Sequence, residues 1–210
     1  MIVVTVDSDR DDETAVCLEH REDEVYPDLS AEGATLRAFS STTAVRAQVA
    51  LAVADPGVSF ITGSGHGLER QFTGQDGTPI LAVGTYAPQE VSNKIVHLLA
   101  CHTAAELGPD VVRNGCQAFF GYDVAFLLPA NPVDLALFLD CDAEIDRALV
   151  EGDTADEAYE RAYDVYTTAA FSLFRAGKPH LAATLTQLRD HLCAPSVDAK
   201  YGRKNAKLPR

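Results

Sequence analysis

The stretch 95–100, Ile-Val-His-Leu-Leu-Ala, is apolar on both faces apart from His97. A strand with water on one side alternates polar and apolar residues, whereas one covered on both sides does not. So short a continuous run reads as a central strand of a parallel sheet, and the rest of the chain must supply its cover. Apolar β-branched runs also stand at 2–6 and 58–62, with further strand candidates at 34–39 and 116–122. Helical patterns lie between them. Ser40, Ser41 and Thr42 offer caps before an apolar-rich stretch that ends near Ala54 and is stopped by Pro56. Another helical pattern spans 104–113 and ends at Asn114-Gly115. Strands alternating with helical crossovers predict an α/β fold with a mostly parallel sheet covered on both faces.

The last third changes character. Asn131-Pro132 sets a cap before a proline in the first turn, and a helix runs on toward Leu149 until Gly152 ends it. Thr154 and Glu157 have the spacing of a capping box, after which Ala155, Ala158, Ala162, Tyr166, Ala169 and Leu173 keep a helical period up to Gly177. Leu181, Leu185, Leu188 and Leu192 give a final helical stripe. No linker rich in Pro, Gly or Ser divides the chain. At 210 residues one domain can bury roughly 70% of its unfolded surface. The expected division is a body, 1–196, and a basic, solvated C-terminal tail, 197–210.

Charge and cysteine content narrow the function. The net charge is −14, and the tail itself carries five basic groups and one acid, so the body is more acidic than the whole. Such a surface argues against a nucleic-acid partner, which needs clustered Lys and Arg. No apolar stretch approaches the about 20 residues that a membrane helix requires. The N-terminus lacks the basic region and cleavage site of a secretory signal. The expected compartment is the cytoplasm, without a membrane partner. The five cysteines, Cys17, Cys101, Cys116, Cys141 and Cys193, contain no C-x-x-C pair, so zinc spacing is absent and free thiols are expected. The acids Asp7, Asp9, Asp11, Asp12 and Glu13 read as a solvated loop, and the acidic segment 7–24 as either a gate over the site or surface that serves solubility alone. Its Asp7-Ser8-Asp9 follows a strand, as the D-x-D of haloacid-dehalogenase-like phosphatases does. Gly152-Asp153, however, follows a helical pattern where the later motif of those enzymes needs a strand. An EF-hand loop fails for want of glycine at its sixth position.

Two residues stand where buried strands stop. The run 58–62 leads into Gly63-Ser64-Gly65-His66-Gly67, and 95–100 leads into Cys101-His102-Thr103. Ligands gather at the carboxyl ends of strands in parallel α/β sheets, so neighbouring strands would bring His66 and Cys101 to one edge. With a helix starting at Ala104, Cys101 would lie at a helix N-terminus, which favours the thiolate. An imidazole beside it can protonate a leaving amine. Glycines flanking His66 allow close backbone approach to a substrate. His102 is set aside because its side chain should point away from that of Cys101.

The segments Phe60-Ile61-Thr62-Gly63-Ser64-Gly65-His66-Gly67 and Val96-His97-Leu98-Leu99-Ala100-Cys101-His102-Thr103-Ala104 resemble the His-Gly and Ala-Cys blocks of the caspase–hemoglobinase clan of cysteine peptidases. The likeness is greatest to its gingipain-like and CHAT branches, and runs from about Ala34 to Leu173. Gly108, then Gly121-Tyr122 at the end of a strand, and the later 149–158 segment continue it. The resemblance implies a three-layer caspase-like α/β/α fold of five or six strands, with a sixth hard to find in the helical last third. It places 34–39 beside 2–6, followed by the strands ending at His66, Cys101 and Tyr122. It implies Cys101 as nucleophile, His66 as general acid–base, and the N–H groups of Gly67 and Cys101 as oxyanion hole. Related domains carry a hairpin where Gln75-Asp76-Gly77 lies. Asp123 and Glu69 are the acids that could contact a basic P1 side chain, the alternative being ordinary surface acids. The implied activity is a cysteine endopeptidase with a peptide or protein substrate, no metal or organic cofactor, and room for a regulatory protein partner. The alternative is a silent or partner-activated scaffold of the same fold.

Overall fold

The computed structural model describes residues 1–209. In chain order its strands are β1 (Ile2–Asp7), β2 (Thr35–Ser40), β3 (Val58–Ser64), β4 (Gly67–Leu68), β5 (Gln71–Thr73), β6 (Pro79–Ala82), β7 (Ile95–Leu99), β8 (Ala118–Tyr122) and β9 (Leu192–Cys193). The helices are α1 (Asp12–His20), α2 (Tyr26–Ala31), α3 (Arg46–Val53), α4 (Leu107–Arg113), α5 (Pro132–Glu151), α6 (Ala155–Arg175) and α7 (Pro179–Asp190). The main sheet has the order β2-β1-β3-β7-β8-β9. Its first five strands are parallel and β9 returns antiparallel to β8. This is the mostly parallel sheet that the apolar runs predict, in the order the resemblance implies.

Alternate strand residues feed two cores. Val3, Phe60, Ile95 and Phe120 pack with α1, α2, α5, α6 and α7 on one face. Val4, Val6, Ile61, Val96 and Phe119 pack with α3, α4 and the small antiparallel sheet β4-β5-β6 on the other. The turn at Gln75-Asp76-Gly77 joins β5 to β6, with Thr78 donating both N–H and hydroxyl to Asp76. The helix ends obey their local chemistry. Asn131 Oδ1 accepts the Val133 N–H at 3.0 Å. Gly152 ends α5 at φ 101°, a left-handed conformation that costs glycine little. Thr154 and Glu157 cap α6 reciprocally, at 2.8 and 3.3 Å.

Three expectations need correction. The acid cluster from Asp7 to Glu13 is not a solvated loop: Asp7 is buried in β1, Asp11 caps α1, and Asp12 and Glu13 lie in its first turn. Thr14, Cys17, Leu18, Arg21 and Val25 turn inward at helical spacing through α1 and the π-type turn Arg21–Val25, while Asp12, Glu13, Glu19, Glu22, Asp23 and Glu24 stay exposed. The tail is not solvated either. Tyr201, Ala206 and Leu208 are buried, Arg203 N–H donates to Gln117 O at 2.8 Å, and Ala155 N–H donates to Ala206 O at 2.8 Å. Lys200, Arg203, Lys204 and Lys207 face water while the apolar residues between them pack inward. Third, Leu192 is not the end of a helical stripe. It pairs with Tyr122 in β9, the sixth strand, because the outer edge of β8 offers it a ladder.

A fully buried polar network crosses the α1–α5–α6 side of the sheet. Ser64 donates its N–H and hydroxyl to Asp7 Oδ1, both at 2.8 Å, and Arg21 Nε lies 3.2 Å from the same oxygen. Tyr26 donates to the other Asp7 oxygen. Arg21 Nη2 reaches Asp146 at 2.9 Å and Thr62 at 2.7 Å. His97 joins Asp146 at 2.8 Å and Asp142 at 3.2 Å, and Tyr122 donates to Asp142 at 2.8 Å. Burial alone would lower the His97 pKa, but the Asp142 and Asp146 carboxylates outweigh it and raise the value to about 9. Burial opposes ionisation of Asp146 too, yet His97 and Arg21 hold its carboxyl below the usual range. The polar exception in the central strand is thus a charged tie between β7 and α5.

Candidate active site

The pairing of β3 with β7 puts Ser64 opposite Leu99. His66 and Cys101 each follow two residues later, so both leave the sheet at the same edge. Gly65 N–H donates to Leu99 O at 3.2 Å across this exit. Gly67 then passes so close to the other loop that a Cβ on it would stand 2.3 Å from Cys101 O and 2.7 Å from Thr103 Cγ2. No side chain larger than hydrogen fits there, since real Cβ atoms stay beyond such distances. His66 and Cys101 line one cavity of about 50 Å³, together with Glu13, Thr14, Cys17 and Phe126.

The imidazole is held from outside the cavity. His66 Nε2 lies 2.6 Å from Asp11 Oδ2, and Asp11 Oδ1 accepts the Thr14 N–H at 3.0 Å as the N-cap of α1. The hydrogen bond to His66 is the largest cause that keeps the Asp11 carboxyl below its ordinary pKa. With Asp11 accepting from Nε2, Nδ1 is the ring nitrogen left for proton transfer. On the sulfur side, the Phe126 N–H donates to Cys101 Sγ at 3.3 Å. Burial pushes the thiols of Cys17, Cys116 and Cys141 up to about 12. All five cysteines are unpaired.

The helix expected directly after Cys101 begins later. Residues 101–106 form turns and α4 starts at Leu107, so Cys101 is not at a helix N-terminus. The backbone explains this. His102 adopts φ 59°, its N–H goes to Val124 O at 3.0 Å, Ala104 N–H goes to Tyr122 O at 3.0 Å, and Glu106 and Leu107 both donate to Glu69 O. These bonds fix the segment as turns, and the Gly108 N–H that would close a helical turn on Ala104 O goes to Thr103 O at 2.9 Å; the Phe126 N–H takes the role at the sulfur that a helix end would have had.

Asp123 and Glu69 are not among the residues lining the His66–Cys101 cavity. Asp123 pairs with His191 at 2.8 Å, and its carbonyl lies 3.1 Å from His102 Nδ1. Glu69 lines a second, wider cavity with Leu68, Arg70, Gln71 and His102. The carboxylate that does line the first cavity is Glu13. Sequence reading missed Asp11, Glu13 and the Phe126 N–H. Asp11-x-x-Thr14 is a cap pattern ahead of an amphipathic stretch, which was the available signal. A backbone donor leaves no mark in a sequence.

Among the described residues, no group of three or more His, Cys, Asp or Glu side chains is placed to hold a metal, and no helix is long and apolar enough to cross a membrane. Against solved structures, the fold matches that of the Arg specific cysteine proteinase gingipain R (RgpB), with a TM-score of 0.62 and 12% identity over 99% of this chain and 47% of that one. The complex of Porphyromonas gingivalis RgpB pro- and mature domains matches with a TM-score of 0.63 and 14% identity, over 99% and 48%. The chain thus shares the caspase-like α/β fold of these structures and spans about half their length. No family model and no curated protein matches the sequence.

Proposed function

We propose that the chain is a cysteine endopeptidase of the caspase–hemoglobinase type, acting through a thioester acyl-enzyme with Cys101 as nucleophile and His66 as general acid–base. The observation that carries this reading is the shared cavity, with His66 braced by Asp11 and the sulfur facing an N–H donor. His66 Nδ1 takes the thiol proton as Sγ attacks the scissile carbonyl carbon. The oxyanion turns to the N–H groups of Gly67 and Cys101, and the close approach of Gly67 to the Cys101 carbonyl supports their working together. Collapse expels the amine, which leaves with the proton from His66. Water, activated by the same imidazole, then hydrolyses the thioester. Asp11 holds the ring in one tautomer and stabilises the imidazolium.

Glu13 is the substrate acid in this reading, and a basic P1 side chain is its natural partner; gingipain R is described as Arg specific. Five unpaired cysteines fit a reducing, cytoplasmic setting. RgpB has been captured with its pro-domain, and a regulatory protein partner that covers the cavity would act here in the same sense. The test is labelling with peptidyl acyloxymethyl ketones that differ only in P1, read by intact mass. Single labelling strongest with Lys or Arg at P1, lost in Cys101→Ala and His66→Ala and redistributed among P1 residues in Glu13→Gln, supports the reading. A folded protein that takes no label with any P1 overturns it and leaves a scaffold.

A further inference from the structure

Beyond Cys101 lies a second cavity of about 450 Å³, lined by Leu68, Glu69, Arg70, Gln71 and His102. Its walls are chain neighbours of the first site. Leu68 follows Gly67, whose Cα rests against the Cys101 carbonyl, and His102 follows Cys101 itself. Glu106 and Leu107 donate their N–H groups to Glu69 O at 3.1 and 2.9 Å, tying the hairpin tip to the turns after Cys101 and fixing both walls. Arg70 is engaged by Glu106. Leu68, by contrast, is 59% exposed, an apolar side chain on a two-residue edge strand. At about 450 Å³ this space can hold a whole side chain.

We infer that this cavity is the primed-side subsite of the proposed peptidase, taking an apolar side chain just C-terminal to the scissile bond, with Leu68 as its specificity-determining contact. The inference rests on the peptidase reading, and its polarity follows from the proton. The leaving amine must be within reach of His66, and that amine begins the primed half of the substrate. From His66 the protein chain runs straight into Gly67 and Leu68, so the departing half lies along β4. The acyl half remains on Cys101, in the cavity that Phe126 and Glu13 line. An apolar substrate side chain there would cover Leu68, whose exposure to water is otherwise unfavourable.

The experiment uses the full chain and two kinds of substrate with the same basic P1. One is a coumarin amide, which has no primed residues. The others are internally quenched peptides that differ only in P1′ and P2′, carrying Leu, Ser, Asp or Lys, with rates normalised to the fraction of enzyme that an electrophile labels. The expected result is a kcat/KM about tenfold higher for Leu than for Asp, the discrimination one pocket contact provides. Leu68→Asp, a change at an exposed position, should flatten or invert that order. A flat primed-side profile in the unaltered chain, or an unchanged order in Leu68→Asp, overturns the subsite while coumarin amide turnover leaves the peptidase reading standing. No turnover of either substrate overturns both.

Discussion

The two oxygens of Asp11 serve two elements at once: one caps α1 and the other holds His66. Asp11→Asn separates these roles, because asparagine is an equally good N-cap but carries no charge to stabilise an imidazolium. We expect Asp11→Asn to keep its melting temperature and to lose about 10²-fold in kcat, as loss of an orienting group does, with KM little changed. Stopped assays on a basic-P1 peptide measure this. Gly67→Ala should be worse on both counts, since its methyl would enter the space of the Cys101 carbonyl. The loops must part, at a cost of about 1–3 kcal/mol in denaturant unfolding. At this scale the sequence was informative where a residue type is rare in its setting. A His between glycines and a Cys at the end of an apolar run stand out. An aspartate among Asp7, Asp9, Asp12 and Glu13 does not, because any of them is a plausible surface acid.

Among elements, the helical last third was legible because its signals are local: a cap, a period and a glycine stop. Thr154→Ala should therefore cost about 1 kcal/mol of global stability, read from the denaturant midpoint, without altering the site. The errors fall where distant backbone decides. A helix from Ala104 is sound on propensity, but the Gly108 N–H that would close its first turn on Ala104 O goes to Thr103 O at 2.9 Å, while Glu69 O draws in the N–H groups of Glu106 and Leu107. Leu192 keeps a helical period with Leu188, but the open edge of β8 captures it as a strand. The apolar tail residues Tyr201, Ala206 and Leu208 are spaced too irregularly to announce an element, and only the groove they fill gives them a place.

For the whole molecule, the buried network sets a pH dependence with a definite sign. His97 titrates at about 9 in the folded chain against an ordinary 6.5. Its contribution is complete below the unfolded value and is lost as pH rises through the folded one. Stability should fall between about pH 6.5 and 9, by on the order of 3 kcal/mol from this group. Asp146 acts in the opposite sense: its depressed pKa stabilises above the unfolded value and is lost as pH falls through the folded one. Denaturant midpoints measured across this range, compared with those of His97→Asn, would show the alkaline slope and its loss. The network also bears on how the molecule comes apart. Its members sit on β1, β3, β7, β8, α2 and α5 as well as the turn after α1, so no layer can slide past another without stranding a charge away from water. Each stranded charge is worth several kcal/mol, which empties the half-packed, swollen states between folded and unfolded chain. Melting near neutral pH is then a single step that binds no hydrophobic dye along the way, and only acid strong enough to discharge Asp146 opens a route through a loosened intermediate.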